Sequence, residues 1–168
     1  MLKIHGNLLT LAKEGRFDLI VHGCNCLCAM GKGIALDIKN QFPEAYAADR
    51  ATVRGERTKL GTYSKALIER PNVAFTIVNA YTQFSYLRSK NSTFDYRGKP
   101  DTVNADYEAI DQVFARIAQD FPAHLRIGYP LIGAGLAGGD WTLIEPMIER
   151  HLGGRDHTLV IYDQSKSR

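Results

Sequence analysis

Between Asp18 and Ile38 the chain reads Asp-Leu-Ile-Val-His-Gly-Cys-Asn-Cys-Leu-Cys-Ala-Met-Gly-Lys-Gly-Ile-Ala-Leu-Asp-Ile, and most residues able to do chemistry are crowded into its middle. His22 carries an imidazole that titrates near neutrality, at about 6.5 when unperturbed. Asn25 offers an amide, and Lys32 stands between Gly31 and Gly33. Glycines let backbone N–H groups come close to a ligand, and the helix-like stripe that follows (Ile34, Ala35, Ile38) presents unpaired N–H donors and a partial positive charge at its start. Such a loop suits a phosphate. A second one, Gly133-Ala134-Gly135-Leu136-Ala137-Gly138-Gly139-Asp140-Trp141, again lies between a largely apolar run and a predicted helix. Two phosphate-sized loops of this kind predict one ligand with two phosphates.

Cys24, Cys26 and Cys28 alternate within five positions. That spacing lacks the C-x-x-C turn common to zinc and redox sites, and no carboxylate cluster calls for a catalytic metal, so neither a metal site nor a cofactor is expected. The cysteines read as small, partly buried thiols in a reducing compartment. Neither glycine loop follows the G-x-x-x-x-G-K-[ST] or G-x-G-x-x-G pattern.

The elements that must hold these loops alternate in type. Leu2 to His5 and Asp18 to Cys24 read as strands, with a helical turn over Leu8 to Ala12 between them. Helices are predicted from Ile34 to Phe42 and from Glu44 to Arg50, separated by Pro43, which fits a first helical turn but not an interior. Gly61 to Ile68 and the continuous apolar run Val73 to Val78 form two strands, the second of them interior to the sheet. A long polar and aromatic connection, Ala80 to Asp101, precedes an amphipathic helix from about Asn104 to Gln119, at whose start Asp106 favours the dipole. A strand near Arg126 to Ile132, irregular at Pro130, then leads into the second glycine loop. A helix near Thr142 to His151, kinked or restarted at Pro146, and a strand from Thr158 to Tyr162 complete the chain.

Strands alternating with helices predict an α/β fold, a three-layer α/β/α arrangement around a mixed, largely parallel central sheet, with ligands beyond the carboxyl ends of the strands. The 168 residues fit one domain, 1–168, which can bury roughly two-thirds of the surface exposed when unfolded. With 45% hydrophobic and 23% charged residues and a formal charge of +3, the composition is that of an ordinary globular protein. The basic cluster from Arg50 to Lys59 reads as a solvated face rather than a nucleic-acid patch. No secretory segment opens the chain and no apolar run approaches the roughly 20 residues needed to cross a bilayer, so a cytoplasmic protein with no membrane partner is expected.

At His22 to Ala35 and again at Ile132 to Trp141 the sequence resembles the macro domain family, whose members bind ADP-ribose. The first stretch matches the family's asparagine-bearing strand end, glycine-rich loop and Ile-Ala; the second matches its Gly-x-Gly after a strand. The order of elements matches over nearly the whole chain. The resemblance is closest to the branch that includes ADP-ribose-1″-phosphate phosphatases and the hydrolases that remove ADP-ribose from carboxylates or nucleic acid. It implies an enzyme converting ADP-ribose-1″-phosphate to ADP-ribose and phosphate, with two alternatives: removal of ADP-ribose from a modified protein or nucleic acid, or ADP-ribose binding without turnover. Asn7, with Leu8 beside it, takes the place of an aspartate that reads the adenine amino group. The lysine of some family hydrolases, expected just after the central strand, is absent from Asn79-Ala80-Tyr81-Thr82-Gln83; Lys90 and Lys99 lie further on.

Phosphate ester hydrolysis needs a group to orient water or attack, and one to protonate the leaving oxygen. His22 is the foremost titratable candidate, Asn25 would hold the distal ribose, and Asp95 and Asp140 are the candidate carboxylates. Asp95 lies between Phe94 and Tyr96 in the long connection, whereas Asp140 could equally cap a helix. Gly31, Lys32, Gly33, Ile34 and Ala35, together with Gly133, Ala134, Gly135, Leu136 and Ala137, would contact the diphosphate.

Overall fold

The computed structural model describes residues 1–87 and 103–163. Six strands form one sheet: β1 (Leu2–His5), β2 (Leu19–Asn25), β3 (Tyr63–Arg70), β4 (Val73–Gln83), β5 (Ile127–Tyr129) and β6 (His157–Ile161). Their order is β1-β6-β5-β2-β4-β3. Every neighbouring pair is parallel except β3 and β4, which form an antiparallel hairpin at one edge. The sheet is therefore mixed and largely parallel, as its alternating strands and helices predict.

Burial explains the order. β2 is buried along nearly its whole length and lies between β5 and β4, whereas β1 and β3 carry exposed residues and take the edges. Helices α1 (Leu8–Lys13), α2 (Gly33–Gln41) and α3 (Pro43–Arg50) cover one face. There Leu8, Leu9, Ile38, Phe42 and Ala45 pack against Ile20, Phe75 and Ile77. Helices α4 (Tyr107–Asp120) and α5 (Trp141–Leu152) cover the other, where Ile110, Val113, Phe114, Ile144 and Ile148 meet Leu19, Val21 and Val78. Alternate residues of β2 and β4 thus face opposite cores.

Four boundaries differ from expectation. β4 runs five residues beyond Val78, because Gly23, Cys24 and Asn25 of β2 pair with Ala80, Tyr81 and Gln83 and continue the ladder through a register shift. Asn79, Thr82 and Gln83 break the apolar run in the sequence, yet they belong to the strand. α4 starts at Tyr107 rather than Asn104, since the N–H groups of Asn104 and Ala105 both reach Ala137 O, at 2.8 and 3.1 Å. Asp106 caps this helix by accepting from Ala109 N at 3.1 Å. β5 stops at Tyr129, immediately before the Pro130 that cannot donate to the ladder. Pro146, by contrast, lies inside an uninterrupted α5, which Ile144, Ile148 and Leu152 hold against the sheet despite the missing hydrogen bond.

Phe114 is fully buried, and its ring meets Tyr129 edge-on with centroids 5.9 Å apart, joining α4 to β5 directly before the second glycine loop. We expect Phe114→Ala to lower unfolding free energy by about 3–5 kcal/mol, the usual cost of emptying an aromatic core position, as read from urea denaturation.

Candidate functional site

Both glycine loops leave the carboxyl ends of adjacent strands, β2 and β5, and face one another. A β-carbon placed on Gly33 would lie 3.5 Å from Leu136 Cδ1. The first loop runs from Cys26 to Lys32 and is closed by the side chain of Asn25. Asn25 Oδ1 accepts from Leu27 N at 3.0 Å and Ala29 N at 3.3 Å, while Nδ2 donates to Ala29 O at 2.8 Å. Cys28 sits at φ 53, in the left-handed region. α2 then begins with Gly33 at φ 56, and its first internal bond is Leu36 N to Lys32 O at 3.3 Å. Among the described residues the N–H groups of Gly33, Ile34 and Ala35, one turn of donors, make no intramolecular bond.

The second loop pairs its own backbone only in part. Ala134 N donates to Leu131 O, Gly138 N to Gly135 O and Gly139 N to Gly133 O, at 3.2, 3.0 and 2.7 Å. Gly135, Leu136 and Ala137 keep N–H groups that make no intramolecular bond among the described residues. Gly139 is glycine for packing, since a β-carbon there would stand 2.5 Å from Gly133 O. A β-carbon on Gly135 would instead meet no described atom within 4 Å.

Beneath the first loop lies a buried polar network. Tyr81 OH donates to Asp49 Oδ1 at 2.9 Å and is 2.9 Å from Ser64 Oγ. Lys59, in the short 3-10 turn Arg57–Lys59, donates to Cys26 O at 3.3 Å and to Cys28 Sγ at 3.4 Å, with its ammonium 4.5 Å from the Tyr81 ring centre. Burial pushes the acidities of Asp49, Tyr81 and Cys24 toward their neutral forms and lifts Cys26 to about 11. These groups hold the loop.

No family model matches the chain. A 17.5 kDa protein of the tk-vs intergenic region of Enterobacteria phage T4 is 32% identical over 153 residues, covering 88% of this chain and 87% of its own. A macrodomain protein from Streptomyces coelicolor is 29% identical and superposes with a TM-score of 0.56 over 87% of each chain. The chain belongs to the macro domain family. The Thermosipho africanus DarTG structure, solved in complex with ADP-ribose, is 16% identical with a TM-score of 0.66, spanning 100% of this macro domain and 43% of that longer chain.

Within this macro domain the expected residues fall into different places. His22 is fully buried on the α3 side of the sheet, its Nε2 2.7 Å from Asn79 Oδ1 and 3.5 Å from Cys24 Sγ. Asn79 in turn donates to Ala45 O at 2.9 Å and Ser64 Oγ at 3.0 Å, so the imidazole is enclosed by protein. His22 therefore does not meet substrate in this geometry, because strand alternation turns it inward. Asn25, expected at the ribose, serves the loop with its carbonyl and one of its two amide hydrogens. Asp140 caps α5, with Oδ1 accepting from Thr142 N at 2.9 Å and Thr142 Oγ1 at 2.7 Å; those bonds lower its pKa and keep it an anion, unsuited to act as an acid. Asp95, Lys90 and Lys99 lie outside the described residues.

Asn7 caps α1, its Oδ1 accepting from Leu9 N at 3.0 Å and Thr10 N at 3.1 Å, so its carbonyl is already engaged. The side chain of Leu8 is in the core. Ala134 has its N–H inside the second loop, as noted above, unlike Gly135, Leu136 and Ala137. Lys32 is exposed at the cap of α2 and makes no cap bond. The Asp49–Tyr81–Lys59 network is absent from the sequence reading; the one available signal was an acidic residue ending a helical stripe, at Asp49.

Burial lowers the pKa of His22 from 6.5 to about 4, only partly offset by the Asn79 hydrogen bond. The unfolded chain binds this proton more readily than the folded one, so stability is complete above about 6.5 and declines as pH falls toward about 4. The loss attributable to His22 reaches roughly 3 kcal/mol. His22→Gln removes that share of the slope when unfolding free energies are compared at pH 7 and pH 4.5.

Proposed function

We propose that the chain binds ADP-ribose between the two glycine loops, with its diphosphate on the N–H groups of Gly33, Ile34 and Ala35 and of Gly135, Leu136 and Ala137. The observation that carries this reading is the pair of facing backbone donor sets at the carboxyl ends of β2 and β5, both without internal partners among the described residues. The macro domain family and the ADP-ribose held by the Thermosipho africanus DarTG support it. The span fits as well. Asn7 follows the end of β1, which lies three strand spacings or roughly 14 Å from β2 and leaves room for an adenosine at one end and a second ribose at the other.

For turnover we propose hydrolysis of ADP-ribose-1″-phosphate to ADP-ribose and phosphate. In this reading Asp95 provides the carboxylate that orients water, and His22 acts through Asn79 and the β2 end as a positioning residue. Support comes from the histidine at the asparagine-bearing strand end, which resembles the phosphatase branch. In this reading the chemical step rests on Asp95.

Calorimetric titration with ADP-ribose is expected to give saturable binding, abolished in Gly135→Val while the melting temperature stays within about 2 °C, because the new side chain would extend into open space rather than into the core. Absence of binding by the unaltered protein would refute the reading. A phosphate-release assay with ADP-ribose-1″-phosphate is expected to show turnover that falls at least about 100-fold in Asp95→Asn. Binding without release would leave a non-catalytic ADP-ribose module or an enzyme that removes ADP-ribose from a macromolecule, separated by loss of label from an ADP-ribosylated substrate.

A further inference from the structure

A cavity of about 480 Å³ adjoins the first glycine loop away from the start of α2. Residues Leu27 to Gly31 form one wall, and Lys39 of α2, Tyr46 and Arg50 of α3, and Thr52 and Arg54 of the following turn form the rest. Lys39 is six residues past the start of α2, roughly 9 Å further along its axis, and none of the cleft's donor residues lines the cavity, so the two are separate. Its size is within the usual range for small-ligand sites.

The charge of this cavity is one-sided. Lys3, Arg70, Arg126 and Arg150 each pair with a carboxylate, whereas Lys39, Arg50 and Arg54 form no ion pair among the described residues. The ring of Tyr46 gathers two of them: Lys39 Nζ lies 4.5 Å and Arg50 Cζ 5.7 Å from its centre, and Arg50 also donates to its hydroxyl at 3.1 Å. The nearby carboxylate, Asp49, is turned into the protein toward Tyr81. Three cations lining one cavity, with no ion pair among the described residues and Asp49 turned inward, favour an anion, and the guanidinium fork matches phosphate oxygens in geometry.

We propose that this cavity is a second phosphate site, formed by Lys39, Arg50 and Arg54 and distinct from the diphosphate cleft. It takes a phosphate monoester or diester, whether free or on a nucleic-acid backbone, and it stands independently of the ADP-ribose reading. Part of the basic cluster from Arg50 to Lys59 is thereby a binding surface, while Lys59 belongs to the interior.

The test is an amide-resolved NMR titration of the full chain with inorganic phosphate, against sodium chloride at matched ionic strength. Saturable shifts at Cys28, Ala29, Thr52 and Arg54 that chloride does not reproduce are expected, with the dissociation constant raised at least about ten-fold in Arg50→Glu/Arg54→Glu. Both residues are exposed, and melting of the double variant checks that it folds. A short oligothymidylate that displaces phosphate from the same amides assigns the site to nucleic acid, and its failure to compete assigns it to a small phosphate. Shifts that do not saturate, that chloride reproduces, or that persist unchanged in the double variant overturn the proposal. No ADP-ribose is present in this titration, so the outcome is read separately from that of the cleft.

Discussion

The loop after β2 must leave a row of backbone N–H groups unpaired toward solvent and still keep one conformation, and much of the structure answers that constraint. Unpaired donors give a loop no rigidity of their own, so side chains behind it have to supply it. Asn25 closes the turn with three hydrogen bonds, Lys59 takes Cys26 O from below, and Gly55 N reaches the same carbonyl at 2.7 Å. Loss of a single member leaves a buried polar group unsatisfied, which costs more than the bond contributes when made. The loop's stiffness is a collective property of β2, α3 and the turn after it.

The same constraint accounts for polarity inside the sheet. Between β2 and α3 an apolar contact would suffice for stability, yet His22, Asn79 and Ser64 form a chain of hydrogen bonds there. Neutral imidazole can accept or donate but carries no charge to desolvate, which is why it is tolerated where an ion would not be. Asn79 links that chain to Ala45 O on α3, so the helix that flanks the first loop is fixed in register with the strand that delivers it. Thr82 Oγ1, buried without a partner, marks the one described place on the opposite face where this satisfaction is incomplete.

The fold was legible wherever periodicity alone decided it. The α4 stripe of Ile110, Val113, Phe114 and Ile117 and the apolar run of β4 lie as their spacing requires. Boundaries departed where a tertiary partner outweighed local pattern, as when β2 draws Tyr81 to Gln83 into the ladder or Ala137 O holds Asn104 and Ala105 out of the helix. The backbone part of the site was legible because glycine is a direct signal of where the chain must turn tightly or stay open. Its side-chain part was not: His22, Asn25 and Asp140 carry the right chemistry, but only the alternation of β2 and the capping of α5 decide which way they point. A charge run hides burial in the same way, since nothing in Arg50 to Lys59 marks Lys59 as the one turned inward.

Cys28 ties these points together. Its left-handed backbone is a conformation that a β-carbon disfavours by roughly 1–2 kcal/mol, and glycine would relieve it. The side chain offsets that strain: its thiol donates to Asp49 O at 3.3 Å and lies 3.5 Å from Thr52 Oγ1, while its sulfur accepts from Lys59. A glycine here would be more relaxed in isolation but would leave Lys59 with the Cys26 carbonyl and the Tyr81 ring, and so loosen the loop. Strain at one backbone position is thus exchanged for a fixed loop that has backbone amides beyond it on one side and cationic side chains on the other.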